Sequence, residues 1–316
     1  MNSIEEQLGI KKNIPLQKID LQKFNLSGTN LFVKREDLLH PAVSGNKWYK
    51  LKYNLLEAKK NKFDTLLTFG GAYSNHIYAL ASAGREMGFK TIGVIRGEEH
   101  FPLNHTLSFA KACGMKIYYV NRKEYRAKEI PDFLNSLKNK FGNFYLIPEG
   151  GTNQLAVKGC KEIIENINVE FDSVVVPVGT GGTLAGIIKG IKNQHNKKAI
   201  GIAVLKNAGF LKHKVLELIN SSSENQKSSN WEIILDYHFG GYAKFNKVLI
   251  EFINEFKEKT EIQLDPVYTG KMMYGIFDLI NKEYFRPGST IIAVHTGGLQ
   301  GIQGFKERFS EKLLNF

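Results

Sequence analysis

The chain is poor in cysteine: among its 316 residues only Cys113 and Cys160 occur. They share no CxxC or finger-type spacing, which argues against a disulfide framework and against a zinc site, and leaves two buried thiols as the expectation. Long apolar runs are missing as well. None is long enough to span a bilayer, and the first seven residues lack the basic flank and apolar stretch of a signal peptide, so a cytoplasmic protein with no membrane partner is expected. No internal repeat and no low-complexity tail is present. Lysine and arginine outnumber the acids 43 to 31, for a formal charge of +12. They are spread along helix faces and do not gather in a block with interleaved aromatics. The expectation is therefore a solvated basic surface that attracts anionic small molecules, with no nucleic-acid partner.

What is present is a strand–helix alternation. With 42% hydrophobic residues the chain can bury a sizeable core, and its length suits two domains or lobes. "TLLTF" from Thr65 leads to a helical pattern over 74–87, "TIGVI" to one over 104–112, and "KIYYV" to one around 131–140. "NFYLI" closes the series. This order predicts a parallel sheet covered by helices. Ile77, Leu80, Ala81, Gly84 and Met87 recur at helical spacing and would face that sheet. A second series runs through "SVVVPV" (173–178), "KAIGIAVL" (198–205) and "TIIAVH" (290–295). The polar stretch Ser221–Asn230 reads as a surface loop.

The most informative turn is "VVVPVGTGGTLAGI", residues 174–187. A strand ends at Val178, Gly179-Thr180-Gly181-Gly182-Thr183 turn the chain, and a helix begins. Glycines let backbone N–H groups approach an anion and the helix N-terminus adds partial positive charge, so a phosphate suits the turn, with Thr180 and Thr183 as hydroxyl donors. It is neither a Walker loop nor a GxGxxG dinucleotide fingerprint. Taken alone, the turn is as compatible with simple helix–strand packing.

A phosphate site together with a suitable lysine suggests pyridoxal phosphate, whose aldehyde condenses with an amine and whose ring withdraws electrons. In "SGNKWYK" (44–50), Lys47 directly follows a polar turn at the start of a helical pattern. Such a lysine, next to backbone donors and a second cation, can have its pKa lowered enough to be nucleophilic. Lys50 and Lys52 could act so in principle, but neither follows the turn.

Six segments, "VKREDLLHPAVSGNKWYKLKYNL" (33–55), "TFGGAYSNH" (68–76), "IPEGGTN" (147–153), "VPVGTGGTLAG" (177–186), "LDPVYTGK" (264–271) and "VHTGGLQG" (294–301), together resemble the 1-aminocyclopropane-1-carboxylate deaminase / D-cysteine desulfhydrase family. The resemblance spans almost the whole chain. It implies an α/β, two-lobed pyridoxal-phosphate fold of type II (tryptophan synthase β-like), each lobe a twisted, mostly parallel sheet flanked by helices. The large, phosphate-binding lobe would comprise 1–50 plus 154–316 and the small lobe 51–153. It also implies pyridoxal 5'-phosphate as cofactor, a small amino acid as substrate and a homodimer.

Residue by residue, Lys47 matches the family's Schiff-base lysine, Asn75 the asparagine that bonds the ring hydroxyl, Ser74 the serine near the substrate carboxylate, and Tyr268 a tyrosine at the substrate face of the ring. The helix start after Gly71 suits a carboxylate on physical grounds too. His76 stands where the family often has glutamine, so its role as a substrate-binding residue is open. Tyr242, in "FGGYAKF" (239–245), is read either as a site-bordering residue or as packing.

The reaction expected depends on two further positions. In the deaminases of the family a glutamate follows the tyrosine of the "DPVY" segment, and a leucine follows the histidine of the "HTGG" segment; here Thr269 and Thr296 stand instead. A neutral hydroxyl at the ring nitrogen cannot balance a pyridinium charge, so the ring is a weaker electron sink. β-Elimination from D-cysteine, giving pyruvate, ammonia and sulfide, needs less than ring opening of 1-aminocyclopropane-1-carboxylate and is the first reading. Lys47 is favoured over Tyr268 as the base for the α-proton. The ring-opening deaminase is the second reading, and a non-catalytic phosphate- or nucleotide-binding protein using the 179–183 turn the third.

Overall fold

The computed structural model describes residues 3–194, 196–219 and 230–309. The stretch read as a surface loop lies outside them except for Asn230. Among the described residues, ten strands form two sheets. β1 (Leu16–Ile19), β2 (Asn30–Lys34), β7 (Ser173–Val178), β8 (Lys198–Ala203), β9 (Trp231–Ile234) and β10 (Thr290–Val294) make a six-stranded sheet in the order β1-β2-β10-β7-β8-β9. Its strands pair in parallel, apart from the antiparallel edge pair β1–β2. β3 (Thr65–Gly71), β4 (Lys90–Arg96), β5 (Lys116–Val120) and β6 (Tyr145–Ile147) make an all-parallel sheet in the order β5-β4-β3-β6.

Local chemistry explains these elements. β7 is "SVVVPV", buried along its whole length, as a central parallel strand covered on both faces must be. The helix Asn75–Met87 starts where Ser74 caps it and ends at Gly88, in the left-handed region at φ 76°. Its expected inner face is confirmed, with Ile77, Leu80 and Ala81 fully buried. The rhythm read between 65 and 147 holds strand for strand. β1, β2 and β9 and the helix Lys247–Thr260 were not anticipated.

The two sheets share a core. One cluster of buried side chains joins Leu66, Ile77 and Ile95 of the four-stranded part to Val174, Val176 and Ile292 of the six-stranded part. It runs through Leu51 and Leu55 of the helix Asn46–Lys60 and Cys160 and Ile163 of the helix Gln154–Glu165. The lobe junction expected at residue 50 therefore falls inside a continuous helix, whose first turn faces the cleft between the sheets.

Candidate active site

Lys47 sits in the first turn of the helix Asn46–Lys60. The preceding Gly45 adopts φ 59° and ψ −141°, and a Cβ there would lie 2.0 Å from the Thr296 carbonyl oxygen. Only glycine permits this approach, which brings the helix start against the loop after β10. Lys47 Nζ donates to Asn46 Oδ1 at 2.7 Å, and Asn46 Nδ2 donates to Thr183 Oγ1 at 2.9 Å. The lysine is thus aimed across the cleft at the glycine turn. Burial and the neighbouring Lys50 push its amine down to about 7.

That turn is built as an anion cradle. Gly181 is in the left-handed region at φ 86° and opens the helix Gly182–Gly190 with no side-chain cap, so the N–H groups of the first turn are left for a ligand. Lys50, one turn after Lys47, donates to the Gly150 carbonyl and Thr152 Oγ1, both at 3.0 Å, and to Thr180 Oγ1 at 3.2 Å. All of its acceptors are neutral, and burial lowers its pKa. Sequence reasoning set Lys50 aside. Its i+3 spacing from Lys47, which puts both amines on one helix face, was the available signal.

On the other wall, Ser74 Oγ accepts from the N–H groups of His76 and Ile77, each at 3.3 Å. These long bonds leave the Asn75 N–H without a capping partner at this helix start. His76 is buried; its Nε2 pairs with Thr68 Oγ1 at 3.0 Å while that hydroxyl donates to the Ile147 carbonyl, and its Nδ1 has no partner among the described residues. Thr68, having given its hydrogen away, must accept, so Nε2 carries the proton and Nδ1 a lone pair. Burial, with Lys47 and Lys50 nearby, holds the ring well below the ordinary histidine pKa, and therefore neutral.

Tyr268 lies over the turn, so close that a Cβ on Gly179 would stand 3.3 Å from its ring. Its ring meets Tyr242 edge-on, with centroids 6.0 Å apart. Burial and that second phenol raise its pKa well above the usual value. Tyr268 therefore keeps its hydroxyl proton at neutral pH. Tyr242 is 46% exposed and borders the cavity, which settles its location against core packing.

A cavity of about 650 Å³, open mouth included, collects most of these groups. Of the residues expected at the site, Lys47, Ser74, Asn75, His76, Gly179, Thr180, Gly181, Thr183, Tyr268 and Thr296 line it. Gly182 and Thr269 do not. Thr269 is fully buried, and its hydroxyl donates to Asp265 Oδ2 at 2.7 Å and accepts from the Asp265 N–H at 2.9 Å. Its hydroxyl is committed to shaping the turn, and of the two threonines expected at the ring only Thr296 lines the cavity. Asp265 itself was missed. Its carboxylate accepts from the N–H groups of Val267, Tyr268 and Thr269 as well, an Asx-type turn for which "DPVYT" was the signal.

Among the described residues no carboxylate lines the cavity, while two lysine amines do. Two lysine amines without a carboxylate partner, an uncapped helix start and hydroxyl donors fit a phosphate-bearing aldehyde with an amine within reach. The chain belongs to the pyridoxal-phosphate dependent enzyme family, whose profile matches residues 10–297, and its cofactor is pyridoxal 5'-phosphate. It is 34% identical, over 92% of its length and 90% of the relative's, to a Pyrococcus furiosus protein provisionally named 1-aminocyclopropane-1-carboxylate deaminase. It is 30% identical, over 87% of its length and 74% of the relative's, to the mitochondrial bifunctional D-cysteine desulfhydrase/1-aminocyclopropane-1-carboxylate deaminase of Arabidopsis thaliana. A crystal structure of an ACC deaminase homologue superposes with a TM-score of 0.81 at 28% identity, covering 98% of both chains. The fold is the type II, tryptophan synthase β-like arrangement expected.

Proposed function

We propose that this enzyme eliminates the β-substituent of D-cysteine or a related small amino acid, releasing pyruvate, ammonia and sulfide. The observation that carries this is the absence of any carboxylate from the cavity wall, together with the neutral Thr296 hydroxyl there. Pyridoxal phosphate, when bound, supplies an aldehyde that takes up amines and a ring that delocalises the electrons of a broken α-bond.

The protein's own groups divide the rest. The N–H groups at the start of Gly182–Gly190, Thr180, Thr183 and Lys50 would hold the phosphate. The Asn75 N–H and the Ser74 hydroxyl would hold the substrate carboxylate at the second helix start, and the Asn75 side chain would hold the cofactor ring. His76, neutral and buried, shapes this wall and carries no proton to the reaction. Lys47, with a pKa of about 7, populates its free-base form at neutral pH, and in that form takes the α-proton at Nζ. Tyr268 keeps its proton and can give it to the leaving sulfur. Thr296 does not stabilise a positive ring nitrogen, which disfavours chemistry needing a stronger sink.

The same reading takes the protein to be a homodimer, as the resemblance implies, and to act in the cytoplasm. No described helix is long and apolar enough to cross a membrane. The names of the relatives support ring opening of 1-aminocyclopropane-1-carboxylate as a second reading. Keto-acid release from D-cysteine, L-cysteine and 1-aminocyclopropane-1-carboxylate, measured in parallel, separates the two. Pyruvate with sulfide from D-cysteine alone is expected, whereas 2-oxobutyrate from the cyclopropane substrate would overturn the electrostatic argument.

A further inference from the structure

A run of side-chain hydrogen bonds crosses the cleft and ends on the cavity wall. The Thr106 hydroxyl donates to Gln300 Oε1 at 2.9 Å, and Gln300 Nε2 donates to Asn75 Oδ1. Thr106 and Asn75 stand on helices covering the four-stranded sheet, whereas Gln300 stands after β10 of the other. Thr106 is buried, so its hydroxyl has little access to competing water. Gln300 and Asn75, with Lys47 and Ser44, also line a smaller recess beside the main cavity.

An amide side chain has one accepting and one donating end, and a half-turn exchanges them with little change of shape. On Asn75 the accepting end is taken by Gln300. Nδ2 has no hydrogen-bond partner among the described residues, and it lies so close to Gly298 that a Cβ there would come within 2.5 Å of it. We propose that Gln300 is a positioning residue that decides which end of the Asn75 amide meets the bound cofactor. With glutamine at 300, Asn75 offers an N–H donor to an anionic oxygen on the cofactor ring. The proposal rests on the reading above that Asn75 contacts the cofactor.

The consequence is a graded set of variants. Gln300→Met removes the constraint without adding charge, so both orientations of Asn75 become available. Gln300→Glu offers acceptors at both ends. It takes the Thr106 hydrogen at one and draws Asn75 Nδ2 to the other, which turns the Asn75 oxygen toward the cofactor. Thr106→Val keeps Gln300 but releases its orientation.

The test is the dissociation constant and absorption band of the lysine-bound cofactor, recorded without substrate, alongside the thermal midpoint of each apo-protein. Gln300→Met should bind the cofactor about three- to tenfold more weakly. Gln300→Glu should be weaker still with a displaced band, and Thr106→Val should change in the same direction by less. Unchanged affinity and band in Gln300→Met and Thr106→Val, with apo midpoints equal to the native protein's, would overturn the proposal even if the glutamate variant failed to fold. A native protein showing no lysine-bound band would instead overturn the placement of the cofactor.

Discussion

Two lysines one turn apart share a cavity wall but differ in what holds them. Lys47 meets one amide oxygen, while Lys50 is pinned by a carbonyl and two hydroxyls beside the phosphate turn. The proposed function divides the labour accordingly: the loosely held amine is assigned the reaction and the pinned one the neutralisation of the phosphate. Lys50→Met should weaken cofactor binding about 10- to 100-fold through loss of the positive charge beside the phosphate turn, measurable by titration with pyridoxal phosphate. Only the neutral amine of Lys47 attacks an aldehyde, so cofactor capture should be slow at pH 5 and accelerate as pH rises through about 7. A capture rate that first rises near pH 10 would contradict the lowered pKa. The Lys47 position was legible in "SGNKWYK" because a turn that ends in a lysine at a helix start is a local pattern. The saturation of Thr269 was not legible, because its partner Asp265 can be recognised only once the turn is folded.

The turn before the helix Thr269–Asn281 is the element that places Tyr268 on the cavity wall. Asp265 collects three backbone N–H groups and one hydroxyl, and so fixes the direction in which Tyr268 leaves the backbone. From the same helix, Lys271 donates to the carbonyls of His238 and Gly241 at 2.8 and 2.7 Å, which ties down the loop bearing Tyr242. Asp265→Ala strands several buried donors and should cost about 2–4 kcal/mol in chemical denaturation, with KM raised as Tyr268 loses its direction. Asp265→Asn, which keeps one acceptor oxygen, should cost less. Strands with long apolar runs, β7 and β10 among them, could be read because burial on both faces writes itself into composition. The short edge strands β1 and β9 pair on one side only and have mixed burial, so their sequences carry little signal.

At the scale of the whole molecule, the cavity joins groups contributed by both sheets, and a ligand that bridges them should stabilise the fold. Saturation with pyridoxal phosphate at about 100 times its dissociation constant should add about 2.7 kcal/mol, visible as a higher thermal midpoint that falls when the cofactor is removed. The apo-protein has the opposite problem, because it buries lysine amines without counter-ions. A lysine whose pKa is about 7 when folded and near 10.5 when unfolded binds fewer protons in the native state across that window, so stability rises with pH between the two values. In Lys47→Met this part of the pH dependence should disappear, and the variant should gain most over the native apo-protein below pH 7. The two-lobed architecture was readable from the strand–helix rhythm. Its shared core was not, since only the fold reveals that the helices Asn46–Lys60 and Gln154–Glu165 pack together in one buried cluster.

The account turns on Lys47 as the residue that carries the cofactor, and reduction of the loaded protein with borohydride followed by peptide mass mapping tests that claim directly. The cofactor mass should be found on Lys47, with Lys50 unmodified. Modification of Lys50, or of no lysine in the cavity, would contradict it.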